Sequence, residues 1–130
     1  MKKSLLELYA LAVCFFTVAC FAIALGIGLY AVIGVADPAI TLNSYTYSQH
    51  QTNDAYWQGC AGRYCAPDDK KVRPPEAEVT KQREASFARE LSNERRNEVQ
   101  TLIKCFIVIF VDLFIFLFHW VLARRARNAA

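Results

Sequence analysis

The stretch from residue 105 to residue 123, CFIVIFVDLFIFLFHWVLA, is the feature that most limits how this chain can fold. Its single Asp, Glu, Lys or Arg residue is Asp112, close to the middle. As an α-helix, the stretch would be about 28 Å long, close to the hydrocarbon thickness of a bilayer. Its apolar side chains favour insertion by roughly 4 to 8 kcal/mol, against a cost of about 3 kcal/mol for Asp112. The sequence therefore predicts a membrane-spanning helix at 102–123 that contains a buried acid.

A second apolar block covers residues 8–36 and contains no charged residue. As a helix it would extend about 43 Å, long enough to cross a bilayer. A cleaved secretory signal is the competing interpretation, because Gly34 and Ala36 are small residues of the kind that a signal peptidase recognises. The apolar core of a signal is only about 7 to 15 residues long, so we predict a first membrane span at 8–36.

The polar residues are concentrated between these two blocks. The chain is 55% apolar overall, but the apolar residues lie mostly at its two ends, a separation that a single soluble core would not show. The formal net charge of +3 is small and dispersed, so it does not indicate a nucleic-acid partner. We expect the lipid bilayer to be the main surroundings of the chain.

The basic residues at the two ends predict the orientation of the chain. Lys2 and Lys3 precede the first span, and a basic tail follows the second. Cationic flanks stay in the cytoplasm, so we expect residues 1–7 and 124–130 on that side of a bacterial inner membrane. The segment between the spans would then be periplasmic.

Residues 37–74 are predicted to form an irregular periplasmic loop. Residues 40–47 are compatible with a short extended piece, and Gly59 and Gly62 are expected to interrupt any helix. A disordered linker would be depleted in aromatic residues, so the aromatic side chains of the loop predict a packed surface, either at the lipid interface or against a partner protein. These side chains are Tyr45, Tyr47, Tyr56 and Trp57.

Cys60 and Cys65 enclose a short segment that contains Gly62. The periplasm is an oxidising compartment, so a small disulfide loop is expected between these two cysteines, with free thiols as the alternative. A metal site would need more ligands than this pair, and no histidine or aspartate of the loop is spaced to supply them. We therefore predict neither a metal nor a cofactor.

Residues 75–101 are rich in good helix formers and lack glycine and internal proline. Pro75 suits the start of a helix, and Glu76 and Glu78 complement the positive end of its dipole. No breaker separates this segment from the second span, so the sequence predicts one long helix that projects from the membrane and continues to about residue 122. The predicted fold is thus all-α: two transmembrane helices in an antiparallel hairpin, with an irregular loop between them.

Polar and small residues recur along one face of each predicted span. Cys105, Asp112 and His119 are seven residues apart, which keeps them on one side of a helix. A matching stripe of mostly small or polar residues in the first span has alternating steps of three and four residues. Its members are Glu7, Ala10, Cys14, Thr17, Phe21, Ala24 and Gly28. In an antiparallel pair, Thr17 or Cys20 would lie near Asp112, in position for a hydrogen bond to it.

The acid within the span allows three interpretations. Asp112 could be a protonated or hydrogen-bonded group that holds helices together, a group that binds a cation on a partner protein, or part of a proton or ion pathway with His119. The favoured function is a non-enzymatic accessory, assembly or scaffolding subunit that binds a membrane protein or another copy of itself. The alternatives are a proton- or ion-coupled component and, less favoured, a periplasmic sensor.

The sequence contains no nucleotide-binding loop, zinc-binding helix or catalytic triad, so we predict neither an enzyme nor a small-molecule substrate. The predicted topology resembles that of small, uncharacterised two-span inner-membrane proteins of bacteria, which have short basic tails and a periplasmic loop. The resemblance covers the whole chain, involves architecture alone and implies no role for any residue.

Overall fold

The computed structural model describes residues 5–63 and 73–128, which are almost entirely helical and contain no β-strand. Five helices follow one another along the chain: α1 (Leu5–Ala36), α2 (Pro38–Thr41), α3 (Ser44–Gln49), α4 (Asn53–Arg63) and α5 (Glu76–Asn128). They divide into two compact units. The first unit contains Met1–Val32 and Val99–Ala130, and the second contains Ile33–Glu98.

Helix α1 ends where the sequence places a proline. Pro38 disfavours a helical conformation at the preceding residue, and Asp37 accordingly has extended dihedral angles, with φ −138° and ψ 90°. The Asp37 side chain then accepts a hydrogen bond from the backbone N–H of Ala39, which caps α2. The sequence Asp-Pro therefore ends one helix and starts the next.

The prediction of an irregular loop over 37–74 was wrong for most of its length. Three short helices, α2 to α4, occupy this region, and none of its described residues is in a strand. Side-chain oxygens start α3 and α4: Asn43 accepts from the N–H of Tyr45, and Thr52 accepts from the N–H of Ala55. Gly59 lies within α4 because a glycine costs a helix only about 1 kcal/mol, too little to break it where other contacts hold the turn.

Helix α5 is continuous from Glu76 to Asn128, as the absence of a breaker predicted. Its first turn is anchored by the carbonyl of Pro75, which accepts from the N–H groups of Glu78 and Val79. The N-terminal part of α5 belongs to the second unit and its C-terminal part to the first.

Helices α1 and α5 are long and apolar enough to cross a membrane, as the sequence predicted. Only 22% of the most apolar window of α1 is buried, and only 6% of that of α5. The core helix of a soluble domain would bury most of such a window. Large side chains such as Phe15, Phe16, Phe106 and Phe118 instead point outward.

Candidate functional site

Small side chains form the buried face of α1 in the first unit. Apart from Glu7, the buried side chains that the structure describes on this helix are Ala10, Cys14, Thr17, Ala24 and Ala31. All but Ala31 belong to the predicted stripe, whose steps of three and four residues keep them on one side of the helix, whereas Phe21, another member of the stripe, is exposed. Cys105 is buried on α5, where Asp112 and His119 are half-buried.

Two contacts show how closely α1 and α5 approach in this unit. A Cβ atom added to Gly28 would lie 3.6 Å from the Cβ atom of Cys105, which is ordinary van der Waals contact. The Cys14 thiol lies 4.0 Å from the carbonyl oxygen of Phe116, to which it donates a weak hydrogen bond. The predicted site residues Cys14, Gly28 and Cys105 therefore all lie where the two helices meet.

The N-terminal part of α1 contacts the C-terminal part of α5. The rings of Tyr9 and His119 meet edge to face, with centroids 5.8 Å apart. The Nδ1 atom of His119 lies 2.8 Å from the carbonyl oxygen of Ile115 in its own helix. Glu7 forms an ion pair with Arg127, with 3.4 Å between Oε1 and Nε. These contacts place the start of α1 beside the end of α5.

A cavity of about 180 Å³ lies between α1 and α5 at the position of Asp112. Its lining is apolar apart from Asp112 and Thr17. The remaining lining residues are Val18, Phe21, Leu113 and Phe116. Three of these, Val18, Phe21 and Leu113, are also exposed on the outer surface of the pair, so the cavity opens to that surface.

The Oδ2 atom of Asp112 is buried and has no hydrogen-bond partner among the described residues. The hydroxyl of Thr17 lines the same cavity but donates to backbone carbonyls of its own helix, at 2.9 Å from that of Cys14 and 3.2 Å from that of Val13. Cys20, the other expected partner, is exposed. The expected hydrogen bond from α1 to Asp112 is therefore not formed. An unpaired polar atom in an apolar cavity is costly, which marks this cavity as the principal candidate site.

The second unit contains an aromatic and polar cluster centred on His50. This imidazole is buried, and its centroid lies 5.5 Å from that of Tyr56 and 5.4 Å from that of Phe87. Its Nδ1 atom lies 2.7 Å from the carbonyl oxygen of Thr46, which can only accept, so this nitrogen carries a proton. The Nε2 atom lies 3.1 Å from Oγ of Ser86, whose hydroxyl donates to it when the imidazole is neutral. Both ring nitrogens of His50 therefore have hydrogen-bond partners within the second unit.

Arg83 ties the end of α3 to α5. Its Nη1 atom donates to the carbonyls of His50 and Gln51, at 2.8 and 2.9 Å. These carbonyls follow the last residue of α3, Gln49, so the guanidinium replaces hydrogen bonds that a longer helix would have made. The contacts in this unit are accordingly those of a packed structural element.

An ion-pair cluster lies at the start of α4 and α5. Arg73 contacts Asp54 and Glu76, each at 2.6 Å. The hydrogen bond to Asp54, supported by the charge of Glu76, raises the pKa of Arg73 above its ordinary value. Asn53 donates to Glu76 and to Thr80, which joins the two helix starts.

The predicted aromatic surface is divided by the fold. Tyr45 and Tyr47 are exposed, whereas Tyr56 and Trp57 are half-buried. The Tyr47 ring lies 6.1 Å from that of Phe87, and Tyr56 packs on His50, so two of the four side chains help to hold the second unit together. Tyr45 on α3 is more exposed than Tyr47.

The predicted disulfide lies outside the described residues. The backbone of Cys60 is part of α4, but its side chain and the whole of Cys65 are not described. Among the cysteines with described side chains, Cys14 and Cys105 are buried and Cys20 is exposed.

Sequence reasoning did not find the partners of His50. Ser86, Phe87 and Arg83 are more than thirty positions away in the sequence, and no periodic pattern links them to α3. The one sequence pattern that could have indicated this packing is a thin apolar stripe along the N-terminal part of α5, which includes Phe87 and Val79. In the part of the chain with described side chains, no three His, Cys, Asp or Glu residues are grouped to hold a metal ion.

Comparisons with known proteins do not assign the chain to a family. No protein-family model, curated protein or solved structure matches it. Its function is therefore inferred from its own residues, chiefly those around Asp112.

Proposed function

We propose that this protein is a two-span protein of the bacterial inner membrane that acts by binding, as an accessory or scaffolding subunit of a larger membrane assembly. Helices α1 and α5 cross the bilayer as an antiparallel hairpin, and both termini are cytoplasmic. The second unit lies in the periplasm. The partner is a membrane protein or another copy of the chain, and the protein itself is not an enzyme.

The membrane location is supported by the surface of the two long helices. Exposed Phe, Leu, Ile and Val side chains cover most of α1 and of the C-terminal part of α5. A contiguous apolar surface of this kind is unfavourable in water and suits lipid. The contacts of Glu7 with Arg127 and of Gly28 with Cys105 support the antiparallel pairing.

The observation that carries the binding role is the unpaired Oδ2 atom of Asp112 in the cavity between α1 and α5. An acid in the middle of a span is costly unless another group compensates it. The hairpin does not supply that group, so a binding partner is the natural source. The apolar rim formed by Val18 and Leu113 offers a surface for a further helix.

Affinity purification in mild detergent tests this function. The tagged wild-type chain is expected to recover a membrane protein or its own oligomer, and Asp112→Leu is expected to reduce that recovery severalfold. Phe114→Leu is the matched control, because Phe114 is an exposed residue two positions away. Unchanged assembly in Asp112→Leu would reject the proposal.

The topology has its own test. Thiol-reactive reagents added outside intact cells should label Cys60 or Cys65 once any disulfide is reduced. A cysteine introduced at Asn128 should be protected until the cytoplasmic membrane is permeabilised. Labelling of Asn128→Cys from outside would overturn the proposed orientation.

Proton or ion coupling through Asp112 and His119 is the second candidate. Their spacing of seven positions on α5 favours it, because both titratable groups share one face of the helix. It is placed second because Nδ1 of His119 contacts the carbonyl of its own helix. Reconstituted vesicles should show proton flux that Asp112→Asn abolishes; an absence of flux would reject this candidate.

A further inference from the structure

We infer that the cavity at Asp112 receives a lysine side chain from a transmembrane helix of a different protein. This inference rests on the proposed function and specifies the chemistry of the partner. The ammonium group would pair with the Asp112 carboxylate, while the methylene stem would lie against the apolar walls of the cavity. The partner would therefore carry a basic residue near the middle of a membrane span.

The hairpin has no cation of its own at this depth. Helix α1 contains no lysine or arginine, and the nearest lysine or arginine on the same stretch of α5 is Lys104. Eight positions along a helix correspond to about 12 Å, and helical side chains tilt toward the N-terminus, which directs Lys104 away from Asp112. His119 is seven positions from Asp112, and its Nδ1 atom contacts the carbonyl oxygen of Ile115. Arg127, at the end of α5, is already paired with Glu7. The compensating charge must therefore come from outside this pair of helices.

A second copy of the chain cannot supply that charge. Its two predicted spans have the same sequence, so neither carries a lysine or arginine at mid-span. Two copies meeting at this cavity would bring two Asp112 side chains together, which is unfavourable when both are charged. The charge requirement thus favours a different protein over self-association.

Protonation of Asp112 would remove the charge but would not satisfy the group. A neutral carboxylic acid becomes a hydrogen-bond donor and then needs an acceptor. The hydroxyl oxygen of Thr17 keeps acceptor capacity while its proton points toward Val13 and Cys14, but no hydrogen bond joins it to Oδ2 of Asp112. Protonation also does not fill the empty space beside the carboxylate.

The dimensions and lining of the cavity suit lysine. A dry apolar cavity of about 150 Å³ accommodates a benzene-sized ligand, so the space of about 180 Å³ at Asp112 is ample for a butylammonium group. Phe21 and Phe116 provide aromatic surface, which is favourable beside a cation. Lysine brings three donor hydrogens and arginine five, so lysine leaves fewer of them unpaired beside the two polar side chains that line the cavity.

The test uses the full chain in phosphatidylcholine vesicles with synthetic transmembrane peptides as probes. Three peptides share a leucine-alanine host helix and differ at one central residue, which is lysine, glutamine or methionine. Association is measured by energy transfer between a fluorophore on the chain and one on the peptide. The lysine peptide should bind about tenfold more tightly than the methionine peptide, in the range of a modest buried charge pair. Asp112→Asn should abolish the difference.

Two further variants test whether the cavity itself is required. The double variant Asp112→Leu with Phe114→Asp moves the acid to an exposed position at a similar depth, and it should lose the preference for lysine. Val18→Phe fills the mouth of the cavity and should weaken lysine binding while Asp112 is unchanged. Circular dichroism of each variant verifies that the helices are intact.

Equal binding of the lysine and methionine peptides would overturn the inference, as would equal binding of lysine and glutamine. Retention of the preference after the acid is moved to position 114 would also overturn it, since any mid-span acid would then suffice. These failures are separable from failure of the proposed function. If the peptides show no preference for lysine but Asp112→Leu still reduces recovery of a partner in affinity purification, only the lysine assignment fails.

Discussion

Glu7 and Arg127 form an ion pair across 120 sequence positions, with Oε1 and Nε 3.4 Å apart. The two side chains differ in environment: that of Glu7 is 11% exposed and that of Arg127 is 61% exposed. The pair therefore joins a nearly buried carboxylate to a largely solvated cation. Substitutions of the two residues are therefore expected to differ in their effect on stability.

Arg127→Gln should destabilise the protein more than Glu7→Gln. The first change leaves a buried carboxylate without its cation, whereas the second removes the buried charge. Because Arg127 is mostly solvated, we expect a coupling free energy of only about 0.5 to 1 kcal/mol, smaller at high salt. A double-mutant cycle on thermal unfolding in detergent measures it, and a coupling near zero at low salt would contradict this prediction.

Gly34→Ala should destabilise the second unit. A Cβ atom at this position would lie 2.5 Å from Cγ of Glu98 and 2.9 Å from Oγ1 of Thr41, so neighbouring atoms must move, at a cost of about 1 to 2 kcal/mol. Gly26→Ala is the matched control, because its added Cβ meets open space. Thermal unfolding should show a loss of stability for Gly34→Ala and no loss for Gly26→Ala.

The clash at Gly34 should also be relieved by shortening Glu98, the side chain that the added Cβ atom meets. Combining Gly34→Ala with Glu98→Ala should restore part of the lost stability, because the obstructing Cγ atom is removed. An equal loss in the single and double variants would show that Glu98 is not the obstacle.

Phe87→Ala should loosen the contacts around His50. Phe87 is half-buried and packs against the rings of His50 and Tyr47, so we expect a loss of about 2 kcal/mol, less than for a fully buried phenylalanine. Hydrogen exchange by mass spectrometry should show faster exchange in residues 44–58. Phe106→Ala, at an exposed position on the same helix, should leave that segment unchanged.

Arg83→Met should weaken the end of α3. The change removes the donor to the carbonyls of His50 and Gln51, and it is expected to cost about 1 to 2 kcal/mol. Arg83→Lys should recover part of this loss because it keeps a cationic donor. The control is Arg89→Met, since the described hydrogen bond of Arg89 goes to Ala85 in its own helix. Equal stabilities of the Arg83→Met and Arg89→Met variants would contradict the prediction.

Local sequence patterns predicted the long helices well and the short ones poorly. The spacing of Ala10, Cys14 and Thr17 predicted the buried face of α1 because helical periodicity depends only on neighbouring positions. The region of α2 to α4 was expected to be irregular because its glycines were expected to interrupt any helix. Its helices instead depend on capping by Asp37 and Asn43 and on contacts with Arg83, which lies far away in the sequence.

The sequence by itself determined that the chain has two long helices with apolar spans and that the second span carries an acid near its middle. Length, hydropathy and helical period are properties of consecutive residues, so they can be read without a fold. Only the tertiary structure decided that Thr17 lines the cavity at Asp112 yet bonds to its own backbone, leaving Oδ2 unpaired. Pairing across two helices depends on their rotation and separation to within about an ångström, and no local pattern specifies these.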